Sequence, residues 1–352
     1  MSDLEGHRER IREIDEQIVR LVGERMAAAR AAGEAKQAAG IPLRDYEVER
    51  RVLDRAAAAA ERSLVPADVV RSLMQVLVSA SRDEQERLSY SSFSGEAEHI
   101  AVVGGAGKMG RWFVDFFANQ GHRVTVVERG DDPAKAVQGT SIALLATTPE
   151  TMPGVIARLA AARYPGVVCD IASLKGHLRE AVEAAAAEGL AVTSIHPMFG
   201  PGAKVLSDKV VCICDCGVPE ATAKVRALFA DTAATLVPLD FVEHDRIVSY
   251  VLGLSHLINL LFAKVLAGHA GGFAAIDSVG STTFHAQVET TGTVAQEDPD
   301  LYFEIQRLNQ FTPALYEAVR AEFDELTGWV LEGDRDAFAA MMERSRRWLS
   351  GR

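Results

Sequence analysis

Residues 99–110 read HIAVVGGAGKMG, a short apolar run that breaks directly into glycines. The next stretch, RWFVDFFANQG (111–121), carries its apolar side chains at helical spacing, and HRVTVVER (122–129) returns to an apolar strand. Strand, glycine turn, helix, strand is how a doubly wound α/β sheet begins. Gly105, Gly107 and Gly110 fit the G-x-G-x-x-G spacing, with Lys108 and Met109 inside it. Glycines there let the backbone approach a pyrophosphate, and the helix N-terminus supplies N–H donors and the positive end of a dipole. Glu128 stands 18 residues beyond Gly110, at the end of the second strand. A carboxylate there accepts from a ribose 2′-hydroxyl and repels a 2′-phosphate, so the expected cofactor is NAD. Arg129 beside it pulls the other way.

The βα alternation continues through SIALLAT (141–147), GVVCDIAS (166–173), LAVTSIHP (190–197) and KVVCICDC (209–216). Open α/β sheets hold ligands beyond the carboxyl ends of their strands. Polar groups gather there: Thr147 and Thr148 after one strand, Asp170 and Lys175 after another, His196 at the end of a third. His196 is the natural general base for a hydroxyl whose carbon gives hydride to the cofactor. Cys212, Cys214 and Cys216 alternate at strand period with no histidine or C-x-x-C pair nearby, so they read as a strand face and not as a metal site. Four cysteines in all are too few for a disulfide scaffold, and the expected compartment is reducing cytoplasm.

Either side of this region the periodicity is helical. Residues 4–37 repeat Ile11, Ile14, Ile18, Leu21, Val22 and Met26 at three- and four-residue spacing, until Gly40 and Pro42 stop the pattern. A second helix is expected from about Asp45 to Arg62 and a third over about 66–87. The first helix is too long to bury its own apolar stripe, which predicts a homodimer. The architecture expected is therefore multidomain. An all-helical domain (1–90) and a serine-rich linker (91–98) lead into a doubly wound dinucleotide-binding domain (99–240), and a second all-helical domain (241–352) follows. The net charge of −12 argues against nucleic acid or an anionic membrane as partner. The polar N-terminus carries no secretory signal, and no apolar run of spanning length is expected.

Within the first helix Arg25 and Lys36 lie three turns apart on one face, ~16 Å along the axis. Arg8 precedes Arg25 by ~25 Å, so it could share their ligand only from the second subunit of an antiparallel dimer. Ser81 and Gln85 are i, i+4 neighbours on the third helix. In RDYEVERR (44–51), Asp45, Val48 and Glu49 share a face, which puts a valine between two carboxylates. A solvated charged face is the plain alternative. His244 and His256, on later helices, are further candidates for lining a cleft.

Taken together these residues resemble a known pair of enzymes. Residues 1–90 are similar to the all-helical class of chorismate mutase through Arg8, Arg25, Lys36, Asp45, Glu49, Ser81 and Gln85. Residues 99–350 resemble prephenate dehydrogenase through VVGGAGKMG, DIASLKG, HPMFGP, VEHD and EDPDLY, and the order is that of the fused chorismate mutase–prephenate dehydrogenases. The resemblance implies that Arg8 of a partner subunit, Arg25 and Lys36 hold the two carboxylates and the ether oxygen of a Claisen rearrangement, with Gln85 as a second donor. Asp45 and Glu49 would take the C4 substituent. His196 would accept the C4 proton, supported by Thr147, in an NAD-dependent oxidative decarboxylation. Val48 stands where the family has an arginine, Thr293 stands where the dehydrogenases grip prephenate with an arginine, and Ser255 replaces another. Loss of cations beside retained carboxylates suits 4-amino-4-deoxy substrates. The equal alternative is that nearby arginines, such as Arg50 or Arg246, replace the missing ones and the substrates are chorismate and prephenate. A helical module that only dimerises or regulates is the competing expectation.

Overall fold

The computed structural model describes residues 2–39, 46–63, 65–89, 93 and 95–351. Asp45 lies outside these residues, and so do the side chains of Glu49 and Gln85, whose backbones are helical. Three helices come first: Ser2–Ala38, Tyr46–Ser63 and Ala67–Ser89. The 37-residue first helix packs against the third, and the second packs against it too.

A seven-stranded sheet follows, built from β1 (His99–Val103), β2 (Arg123–Val127), β3 (Ile142–Leu145), β4 (Val167–Asp170), β5 (Ala191–Pro197), β6 (Val210–Cys214) and β7 (Thr235–Leu239). Its spatial order is β2-β1-β3-β4-β5-β6-β7. The first five strands in that order run parallel, and β6 turns antiparallel against β5 before β7 pairs parallel with it. The expected strands all form. The strand at 235–239 and the reversal of β6 were not anticipated. Cys212 and Cys214 sit buried in β6 as their alternation suggested, and Cys216 lies beyond its end.

The core is an aromatic and aliphatic layer under helix Lys108–Asn119. Phe113, Phe116 and Phe117 occupy i, i+3 and i+4 of that helix and pack on Ile100, Val102, Ile142 and Leu144 of the sheet. Each such side chain contributes about 1.5–3 kcal/mol by leaving water. Here the pattern of the opening stretch is fully spent inside one chain.

The chain divides into two compact units, Met1–Ala172 with Glu180–Leu239, and Ser173–Arg179 with Asp240–Arg352. The second is all helical. Asp240, Ser281, Asp298 and Asp334 cap four of its helices by accepting backbone N–H groups. Its first helical run, Phe241–Ala267, is long and apolar enough to cross a membrane by length and composition, which corrects the expectation that no run reaches that length. The length arises because a π-helical turn, Ser249–Leu254, joins two α-helical pieces across Gly253. The Gln306 side chain donates to the Gly253 carbonyl at 3.0 Å within that turn.

Candidate active sites

In the three-helix region the structure brings Arg25 and Ser81 together. The guanidinium of Arg25 donates to the Leu77 carbonyl at 2.7 Å and also to the Ser81 hydroxyl, which itself donates to Leu77 O at 2.7 Å. Ser81 is buried, and burial lowers the Arg25 pKa from its ordinary value. A cation placed there is partly screened from water and is oriented by fixed acceptors, which preorganises it for an anionic ligand. Lys36 is half-buried on the same helix as Arg25. Arg8 is far along it, exposed, and lies 3.8 Å from Glu5. Val48 is 37% exposed on the second helix.

The dinucleotide cradle is a cavity of about 340 Å³ lined by Gly104, Gly107, Glu128, Arg129, Thr147 and Thr148, among others. The chain turns at Gly104, whose φ of +84° is left-handed. A Cβ there would meet the Ala146 carbonyl at 2.6 Å, and one on Gly110 would meet the Gly104 carbonyl at 2.1 Å. Gly110 therefore serves the close seating of the helix on the turn, while Gly107 is its N-cap. Gly105 faces Val126, Met109 packs against the core, and Lys108 is exposed. Gly104 sits one residue ahead of the G-x-G-x-x-G match, and the doubled glycine was its signal.

Glu128 receives the Ala106 N–H at 2.6 Å, so the carboxylate is pinned at the lip of the cradle. Asp131 in turn receives the Glu128 N–H at 2.8 Å. The Thr147 hydroxyl is buried with no hydrogen-bond partner. An orphaned hydroxyl, a glycine turn, a helix N-terminus and an acidic lip together fit a dinucleotide. Thr147 and His196 stand at the same edge of the sheet: Leu145 pairs with Asp170, and Asp170 pairs with Ser194. Two residues further along each strand direction lie Thr147 and His196. His196 is buried.

In the helical unit, Lys175, His244 and Asp245 are each fully buried. Asp245 receives the backbone N–H of Lys175 at 2.9 Å, that of Gly176 at 2.7 Å, and His244 Nδ1 at 2.8 Å. Sequence reasoning gave Asp245 no role, because two of its three partners, the amides of Lys175 and Gly176, lie about seventy residues away. His256 stacks on Tyr302 with ring centroids 4.0 Å apart, its Nδ1 buried without a partner, and burial lowers its pKa. Thr293 is exposed and turns its hydroxyl onto the Thr290 carbonyl at 2.7 Å. A larger cavity of about 890 Å³ in this unit borders Tyr302, Gln306, Tyr316 and Arg320. Among the described residues, no group of three or more metal-ligating side chains comes together.

Comparison with known proteins agrees with this division. Residues 7–86 match the family of chorismate mutase type II. Residues 114–237 match the nucleotide-binding domain of prephenate dehydrogenase, and 241–344 match its dimerization domain. The T-protein of Enterobacter agglomerans is 25% identical over 99% of this chain and 94% of its own length. A 4-amino-4-deoxyprephenate dehydrogenase from Streptomyces pristinaespiralis is 26% identical over 70% of this chain and 89% of its own. Among solved structures, prephenate dehydrogenase from A. aeolicus, in complex with hydroxyphenyl propionate and NAD+, superposes with a TM-score of 0.59 at 15% identity. That match covers 73% of this chain and 99% of the other, a likeness of fold.

Proposed function

The chain belongs to the fused chorismate mutase–prephenate dehydrogenase family, and we propose that its substrates carry an amino group at C4. It is an enzyme with a mutase domain and an NAD-dependent dehydrogenase domain. In the first, Arg25 and Ser81 form a partly buried donor set, with Lys36 on the same helix and Arg8 supplied by a second copy. Holding a dianion in its compact conformer while stabilising charge on the breaking ether oxygen suffices for a pericyclic step. No covalent intermediate is required.

In the second, NAD bound over Gly104–Gly110 and Glu128 supplies the hydride acceptor. His196 takes a proton from the C4 substituent as the C4 hydride leaves, and Thr147 hydrogen-bonds that substituent. Carbon dioxide departs from C1, its bonding electrons enter the ring, and the ring becomes aromatic. Lys175, His244 and His256 bind and orient the substrate in this reading.

Val48 carries the choice of C4 group. It is uncharged and 37% exposed beside Glu49, at the position where the resemblance places an arginine. A cation ~4 Å from an ammonium would cost about 1–4 kcal/mol for effective dielectrics of 80 to 20, and would cost a neutral hydroxyl far less. Thr293 repeats the substitution in the dehydrogenase half, and the similarity to a 4-amino-4-deoxyprephenate dehydrogenase supports the same reading. Full-length similarity to T-proteins favours the 4-hydroxy pair, chorismate and prephenate, as the second reading. The discriminating experiment is Val48→Arg. It should move mutase selectivity toward chorismate by about one to three decades in kcat/KM, or about 1.4–4 kcal/mol. Unchanged selectivity would remove Val48 from substrate choice.

The working form is a cytoplasmic homodimer. The named dimerization segment supports it, as do Ile11, Ile14, Ile18 and Leu21, all exposed along the first helix. The four cysteines, all free thiols, suit a reducing compartment.

A further inference from the structure

We infer that Asp245 is a positioning residue of the dehydrogenase, holding Lys175 and His244 in one fixed relation through its buried carboxylate. The inference rests on the reading of those two side chains as substrate-binding groups.

Segment Ser173–Arg179 leaves the sheet after β4 and rejoins the first unit at Glu180, yet in between it packs with the helical unit. Two consecutive N–H groups tie it there, those of Lys175 and Gly176, one to each oxygen of Asp245. The same carboxylate takes His244 Nδ1. A carboxylate only accepts, so Nδ1 carries a hydrogen, which fixes the ring's orientation. The Asp245 carbonyl is held as well, receiving the Asn309 side chain at 2.8 Å. All of this happens out of water, where an unpaired donor is costly and the geometry is correspondingly firm.

Two details show how little freedom the arrangement has. A Cβ added to Gly176 would stand 2.9 Å from Asp245 Oδ2, so glycine is what allows the backbone this close. An asparagine at 245 would offer one acceptor oxygen and turn an NH2 group toward a donor. Three donors converge on the site, and an amide cannot serve them all. Lys175 and His244 come from positions about seventy residues apart, so one side chain sets the register between them.

The test uses the full-length enzyme with whichever C4 substrate the wild type oxidises. Asp245→Asn should lower dehydrogenase kcat about tenfold or more, the scale of a small misplacement of binding groups. Gly176→Ala should lower it about threefold by pressing on the same contact. In both variants the KM for NAD should stay within about twofold and the mutase rate should be unchanged. Hydrogen exchange should show faster exchange at the Lys175 and Gly176 amides with the sheet still protected. That arm needs no substrate, so it stands even if the assignment of the C4 group fails. A folded Asp245→Asn protein with wild-type kcat and protected amides would overturn the inference. So would parallel losses of NAD affinity and mutase rate, which would mark general packing. If Asp245→Asn does not fold, Gly176→Ala decides by the same readouts.

Discussion

The first helix and the helix after the glycine turn carry the same kind of apolar stripe and dispose of it differently. Ser2–Ala38 leaves Leu4, Ile11, Ile14, Ile18 and Leu21 between 41% and 58% exposed. Lys108–Asn119 buries Phe113, Phe116 and Phe117 to 3% or less. The sheet domain therefore completes both its core and its cofactor cradle within one chain. In the three-helix region that stripe stays exposed on the first helix, and in the proposed reading Arg8, ~25 Å from Arg25, reaches the ligand only from a second copy. A site that waits for a second copy should respond to assembly, while a site closed within one chain should respond only to local chemistry.

Separable damage is the sharpest check on that contrast. His196→Asn should cut dehydrogenase turnover by about 10²–10⁴-fold, the usual worth of a general base, with NAD binding and the mutase rate intact. A parallel loss in the mutase would break the separation. Conversely, Arg25→Ala should cost the mutase about 10²–10³-fold, comparable to removing one donor to a developing oxyanion, and leave NADH production from supplied dehydrogenase substrate unchanged. No change in the mutase would favour a helical region that only assembles.

Smaller effects probe the cradle. With Glu128 pinned by the Ala106 N–H, initial rates should favour NAD over NADP by at least about tenfold, or 1.4 kcal/mol. Equal rates with NADP would mean that Arg129 or Arg158, both lining the cavity, has captured the 2′-phosphate. The smallest effect concerns His256, whose folded pKa is lowered by burial. Below the unfolded value near 6.5, the unfolded chain binds a proton that the folded chain does not. Stability from this residue is thus present above that pH and is lost as the pH falls. His256→Gln should flatten the acid side of a denaturation series between pH 7 and 5, by at most about 1.4 kcal/mol per pH unit. An unchanged slope would show that the ring binds its proton equally well in the folded and unfolded chains.

Much of the fold was legible because its signals are local. HIAVVGGAGKMG gives a strand, a turn and a helix start within twelve residues, and the apolar period of 4–37 gives the long helix. What escaped depends on distant partners. Nothing in VVCIC distinguishes an antiparallel β6 from a parallel one, since side chains alternate in both. The π-turn at Ser249–Leu254 is stabilised by Gln306, more than fifty residues on. Asp245 looked like one more helix charge beside His244 until the amides of 175 and 176 arrived on it. Thr147 and His196 were legible because strand ends in such a sheet converge by rule. Arg25 and Ser81 were matched by resemblance, and their contact needed the packing of two helices.

The most direct test of the central claim is steady-state kinetics of the wild-type enzyme on four substrates side by side. They are chorismate, 4-amino-4-deoxychorismate, prephenate and 4-amino-4-deoxyprephenate, the last two with NAD. The account predicts higher kcat/KM for the amino member of each pair, by about tenfold or more, because Val48 and Thr293 are uncharged where the resemblance places an arginine. Higher kcat/KM for chorismate and for prephenate would contradict it.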